Sequence, residues 1–246
     1  MSSLEIAYFY FVTFVFGCIF GSFCNCMAER IVDHQNLVTQ RSSCPDCGHV
    51  LSWKDLIPVL SWVSTGGKCR YCGKPISVRY PLTELVMGVL WIMTLQAHGL
   101  TIETLVCLAI LCCLFIITLT DLDIKRVPEA LIIASCAIWI FFHLNKWNNI
   151  FWGLGCAFAL WLAGYIFSKV KNTEALGFGD VEMFFLVGLI GGQGCFVVIL
   201  IASLTGIAFA LLRKEKEVPF CPAISIAVYI YLLYGWQIFN AYMSLF

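Results

Sequence analysis

Thr104-Leu105-Val106-Cys107-Leu108-Ala109-Ile110-Leu111-Cys112-Cys113-Leu114-Phe115-Ile116-Ile117-Thr118-Leu119-Thr120-Asp121 is an apolar stretch that ends on a carboxylate. It approaches the roughly 20 residues that a helix needs to cross hydrocarbon. A carboxylate there is costly, by about 3 kcal/mol at mid-membrane on insertion scales, so Asp121 is a functional candidate by default. The reverse arrangement occurs at Gly177-Phe178-Gly179-Asp180, which stands directly ahead of the apolar run 181–191. Two such acids that can meet suggest acid–base chemistry on one shared proton. The bland alternatives are that Asp180 caps a helix starting at Val181 and that Asp121 marks where a span leaves the membrane. Gly177 and Gly179 weigh against them by permitting close backbone approach, here by an extended peptide substrate. Pro128 suits the first turn of the following helix.

The rest of the chain has the same character. Of 246 residues 61% are hydrophobic and 12% charged, against about half and a quarter in a soluble domain. The fold class expected is an all-α polytopic membrane protein. Apolar runs predict about eight transmembrane helices, over 5–27, 82–98, 102–120, 129–144, 149–168, 181–193, 195–212 and 221–243. Gly191, Gly192 and Gly194 mark a tight turn after the short sixth segment. If 181–212 is one broken hairpin, the number is seven. The first segment lacks the basic start and small-residue cleavage site of a signal peptide, so it is expected to be retained. No repeat or low-complexity tract is evident.

Net charge is zero, so distribution matters more than total. Loop 28–81 carries Arg30, Arg41, Lys54, Lys68, Arg70, Lys74 and Arg79. Three further connections carry Lys125 and Arg126, then Lys169 and Lys171, then Arg213, Lys214 and Lys216. These four connections alternate onto one side, and Lys146 alone falls on the other. The positive-inside rule makes the rich side cytoplasmic. Both aspartates then face the cytoplasmic boundary, with the N-terminus outside.

Loop 28–81 is the one long polar stretch. It holds Cys44-Pro45-Asp46-Cys47-Gly48 and Cys69-Arg70-Tyr71-Cys72-Gly73. Two C-x-x-C knuckles so spaced predict a four-cysteine zinc site on Cys44, Cys47, Cys69 and Cys72. Gly48 and Gly73 let amide N–H groups turn towards the thiolates. Disulfides or a redox pair are the alternatives, and a cytoplasmic loop disfavours disulfides. A site with four thiolates is closed, so zinc there is structural. The other ten cysteines read as small buried hydrophobes.

At this point the sequence resembles the prepilin peptidase family, the bifunctional type IV leader peptidases and methyltransferases of bacteria, of the GxGD intramembrane aspartic protease type. Gly21-Ser22-Phe23-Cys24-Asn25 with Arg30 matches the N-terminal motif, and the knuckles match the cytoplasmic loop. Ser52-Trp53, Pro58-Val59-Leu60-Ser61-Trp62, Gly67-Lys68-Cys69 and Arg79-Tyr80-Pro81-Leu82-Thr83-Glu84 match the stretches around them. Asp121, seven residues before Pro128, matches the first catalytic acid. Gly177-Phe178-Gly179-Asp180 matches GxGD. Asp123 is then a solvated charge two residues further into a basic loop.

The resemblance implies an aspartic endopeptidase with Asp121 and Asp180 catalytic, and Gly177, Gly179 and Pro128 supporting. It implies N-methylation of the new terminus from S-adenosylmethionine, with Gly21, Ser22, Asn25, Arg30, Arg79 and Glu84 as candidate residues. Glu84 is either a contact to an amine or sulfonium, or a structural ion partner of Arg79. Residues 1–98 would form the methyltransferase-associated part and 99–246 the peptidase domain. The implied partners are type IV prepilin or pseudopilin precursors and membrane lipid, with no nucleic acid, at a bacterial cytoplasmic (inner) membrane. Two departures stand out. Glu182 occupies a position where the family commonly has Lys. It either adds a third acid to the pair or faces away as a helix charge. Cys221, in Pro219-Phe220-Cys221-Pro222, stands where Gly is usual, and is expected to alter packing of the last helix without touching the chemistry.

Two other classes fit boundary acids less well. A transporter with ion-binding carboxylates would favour inverted repeats and mid-membrane acids. A non-catalytic anchor for a zinc module would be indifferent to loss of either aspartate.

Overall fold

The computed structural model describes residues 3–37, 39–171, 177–213 and 219–244; Lys214 and Lys216 of the positive-inside reading lie outside them. The helices are α1 (Ser3–Val32), α2 (Leu60–Ser64), α3 (Arg79–His98), α4 (Ile102–Ile124), α5 (Glu129–Phe142), α6 (Asn149–Lys171), α7 (Phe178–Gly191), α8 (Cys195–Arg213) and α9 (Cys221–Met243). Among the described residues, extended pairing is confined to two isolated antiparallel bridges.

Each of the eight apolar segments is helical, but eight spans do not follow. By length and composition four stretches could cross a membrane: Leu4–Val32, Ile102–Ile124, Asn149–Val170 and Phe178–Leu211. The last of these joins α7 and α8. At 14 residues each, α5 and α7 extend about 21 Å, short of the roughly 30 Å of hydrocarbon. Helix α3 is long enough, yet it opens with Arg79 and buries Glu84.

Contacts divide the chain into two units, Met1–Leu100 and Thr101–Phe246. In the first, α1 and α3 run antiparallel in close contact. A Cβ on Gly17 would lie 2.7 Å from the Gly88 Cα, and one on Gly21 2.9 Å from the Glu84 Cα. Small residues at a crossing let helix backbones meet in an apolar medium. That approach brings the polar groups of the two helices into one buried layer.

In the second unit α7 is the central element. Met183, Phe184 and Leu186–Gly191 are buried on it, in one apolar core that also holds Ile110, Leu114 and Ile117 of α4 and Ile224, Ala227 and Val228 of α9. Helix α6 covers it so closely that a Cβ on Gly188 would run into the Trp152 carbonyl. A helix buried all round is apolar all round. Its apolar run is therefore core as much as span. Gly192 turns the chain between α7 and α8 at φ +52°, a left-handed position that suits glycine.

Local chemistry sets the helix ends. The Thr101 hydroxyl accepts from the Thr104 N–H to start α4. The helix stops at Lys125, which is left-handed at φ 52° and donates its N–H to the Asp121 carbonyl. Pro128 is the N-cap of α5, one position before the first turn expected for it.

Candidate functional site

Asp121 and Asp180 are brought together in the second unit. Asp121 is in the last turn of α4 and only 5% exposed. Asp180 is not the cap of a helix starting at Val181: α7 begins three residues earlier, at Phe178, with Gly177 as N-cap. That places Asp180 in the first turn, where the helix dipole favours an acid. The backbone N–H of Cys221 donates to Asp121 Oδ2 at 3.2 Å, and the Cys221 thiol donates to Asp180 Oδ1 at 3.6 Å. The two carboxylates are near enough for their charges to interact. Both line a cavity of about 540 Å³, with Gly177, Phe178, Gly179, Lys125, Arg126, Val127, Glu129, Pro219 and Phe220.

Two expectations about this region need correction, those for Cys221 and Asp123. Cys221 does not merely alter packing, since it touches both acids. Asp123 is not in a loop: it is an exposed residue of α4's last turn. Two helical positions past Asp121 it turns to another face. Gly179 makes room for the protein's own Val127, which its Cβ would meet at 2.9 Å. At Gly177 a Cβ would meet only Asp180 Oδ2, at 3.7 Å, so that position stays open. Glu182 has Glu129 and Cys136 of α5 as its electrostatic neighbours. Its Oε2 is buried with no hydrogen-bond partner among the described residues.

The four cysteines of loop 28–81 form a second candidate site. Their sulfurs all lie within 4.8 Å of one another, and Cys44 Sγ is 3.9 Å from Cys72 Sγ. A tetrahedral zinc with bonds of about 2.3 Å sets its sulfurs roughly 3.8 Å apart, so the set fits one ion. The two knuckles are copies of one backbone motif, an internal repeat that the sequence reading missed. Cys44 and Cys69 each donate N–H to the carbonyl five residues on (His49 at 2.9 Å, Lys74 at 2.8 Å), and Gly48 and Gly73 each donate back to the cysteine carbonyl at 2.9 Å. Both glycines take the left-handed conformation, at φ +69° and +73°. The recurring Cys-x-x-Cys-Gly would have shown it.

Amide N–H groups of Cys72 and Tyr71 draw the Cys69 thiol down to about 7. The Lys74 amide also favours the Cys72 thiolate, but burial and the neighbouring thiols outweigh it and push that group up to about 11. Four sulfurs this close all ionise only around a cation. Asp55 braces the module. It accepts from the Ser52 N–H (3.1 Å) and hydroxyl (2.7 Å), Arg70 Nε (2.9 Å) and Tyr71 hydroxyl (2.9 Å). These bonds, Ser52's hydroxyl foremost, hold its carboxyl well below the ordinary carboxylate range. Asp55→Ala should therefore loosen the loop, read as faster proteolysis between residues 42 and 76 with the helices left intact.

The methyltransferase candidates divide. Gly21, Ser22, Asn25 and Glu84 share the buried layer between α1 and α3. Asn25 Nδ2 donates to the Thr83 hydroxyl, and Ser22 bonds the Glu84 carboxylate. Glu84 Oε2 also accepts from the Val59 N–H at 2.7 Å. Val59 is at φ 60°, ψ −51°, a strained conformation for a β-branched residue that persists only when its surroundings impose it. Glu84 thus clamps the loop onto the helices, a contact with no local sequence pattern. Arg30 is committed elsewhere, with its guanidinium on the Leu37 carbonyl at 2.6 Å and on that of Gln40. Arg79 is the first residue of α3, and its backbone N–H bonds the Ser77 hydroxyl at 3.2 Å.

Comparison with known proteins follows this division. Residues 15–98 match the model of the bacterial peptidase A24 N-terminal domain, and residues 108–211 that of the type IV leader peptidase family. A prepilin leader peptidase/N-methyltransferase of Bacillus subtilis is 31% identical, over 95% of this chain and 98% of that protein. One of Aeromonas hydrophila is 29% identical over 98% of each chain. One of Myxococcus xanthus is 35% identical over 81% of this chain, which spans only 61% of it. No solved structure matches. With both halves matched in order and a relative aligned nearly end to end, the chain belongs to the type IV leader peptidase family.

Proposed function

We propose that this protein cleaves the short basic leader from type IV prepilins or pilin-like precursors at the cytoplasmic face of a bacterial inner membrane, and N-methylates the residue exposed. The observation that carries the peptidase reading is the meeting of Asp121 and Asp180 on Cys221, beside a cavity of about 540 Å³ that both acids line. Like charges so close do not both ionise readily, so the pair holds one proton between them. The ionised carboxylate takes a proton from water, which attacks the scissile carbonyl. The protonated one donates to the carbonyl oxygen, and the amine leaves with a proton returned by the pair. The basic connections near residues 125 and 169 support the cytoplasmic placement.

Zinc, held by Cys44, Cys47, Cys69 and Cys72, would cross-link the two knuckles and take no part in either reaction. The methyl group would come from S-adenosylmethionine, as the relatives' shared name suggests. We assign the layer of Ser22, Asn25 and Glu84, with the loop clamped to it, to that half-reaction. Glu84→Gln keeps an acceptor for the Val59 N–H but removes the charge. It should impair methylation more than cleavage, seen as pilin cut at the normal place but lacking the methyl mass. Equal loss of both activities in a folded variant would make Glu84 structural. Undiminished methylation would remove it from the site.

The overall reading is tested by incubating membranes that contain the protein with a prepilin and S-adenosylmethionine, then analysing the pilin N-terminus by mass spectrometry. Leader loss with a methyl increment is expected; an intact precursor overturns it.

A further inference from the structure

We infer that Cys221 is a positioning residue that sets the spacing of the two carboxylates, a role that rests on the dyad proposed above. The three groups come from three elements: the last turn of α4, the first turn of α7 and the first residue of α9. One residue holds both acids, through two different atoms. The first N–H of a helix has no intrahelical partner, and here it is given to Asp121 Oδ2 at 3.2 Å. The thiol lies 3.6 Å from Asp180 Oδ1 and also bonds the Asp121 carboxylate.

The residue is placed rigidly enough to act as a spacer. Cys221 is 0% exposed, within the apolar core of the second unit. Phe220 before it stacks on Phe184 of α7, ring centroids 6.2 Å apart, and lies against Gly206 of α8. The Phe220 carbonyl accepts from the N–H groups of Ala223 and Ile224 at 3.0 and 3.2 Å. Pro222 follows, with its fixed φ. The thiol therefore has little freedom except along the line between the acids. Any residue but proline supplies the amide bond at position 221. The side-chain bond to Asp180 belongs to cysteine, with serine the nearest substitute.

The test is steady-state cleavage of a prepilin by Cys221→Ala, Cys221→Ser and Cys221→Pro, with kcat and KM measured separately. Cys221→Ala removes only the thiol bond, and kcat should fall about tenfold with KM within about twofold. Cys221→Ser should recover most of that loss. Proline is tolerated in a helix's first turn and removes both bonds, so kcat should fall about a hundredfold. Unchanged kcat in Cys221→Ala overturns the role, as does an equal loss in Ala and Ser, which marks packing alone. If the proline variant does not fold, the Ala and Ser pair decides. Asp121→Asn measured alongside separates the two levels. Retained cleavage there sinks the dyad itself, whereas an inactive Asp121→Asn beside a fully active Cys221→Ala sinks only the positioning role.

Discussion

Asp121→Asn and Asp180→Asn should each abolish the proposed prepilin cleavage while the protein remains inserted and folded. The expected loss is at least about a thousandfold, or about 4 kcal/mol of barrier. An amide can neither take a proton from water nor return one, so the loss falls on the chemical step. Asn is nearly isosteric with Asp, and in place of Asp121 its carbonyl can still accept from the Cys221 N–H, whose present acceptor is Asp121 Oδ2 at 3.2 Å. The end of α4 should therefore survive. Asp123→Asn is the control, being exposed and on another face of the same turn, and should keep most activity. The measurement is the rate of leader loss, with insertion checked by membrane fractionation. Full cleavage by the Asp121 variant would falsify the dyad.

Removing the metal is the second large effect. Purified protein should carry roughly one zinc per chain, since four thiolates complete a single tetrahedron. Cys44→Ser or Cys69→Ser should lose it and leave the loop open to protease. Binding at such sites is worth on the order of 10 kcal/mol, and most of it is folding energy of the module. What would remain without it includes the knuckles' own backbone bonds, the Asp55 bonds, the Lys74–Asp46 ion pair, the Trp62 indole N–H on the Ile76 carbonyl at 3.0 Å, the His49–Tyr71 stack and the Glu84 bond to Val59. Cleavage should suffer less than methylation, because the aspartates belong to a unit that begins at Thr101. Metal-free protein with the four thiols paired as disulfides would overturn the assignment.

That two boundary aspartates and four cysteines were candidate site residues was legible in the chain, and the fold brings each set together. Their evidence is local: an acid at the end of an apolar run, glycines one and three residues before another acid, two cysteines at fixed spacing. The helices were legible for the same reason, since long apolar runs in a chain with few charges can satisfy their backbones in hydrocarbon only by coiling. Span number was not. Hydropathy does not distinguish a helix wrapped by lipid from one wrapped by helices, and α7 is buried by its own neighbours. Cys221 was misread for a similar reason, because a thiol in an apolar run has the composition of a small hydrophobe. Only the packing of α4, α7 and α9 brings residues 121, 180 and 221 to one point. Only the approach of α1 and α3 across Gly17, Gly21 and Gly88 lets Glu84 reach the amide of Val59. Spacing along the chain carries chemistry confined to one turn or one knuckle. Contacts between residues a hundred positions apart depend on which helix faces meet, and shape and volume decide that.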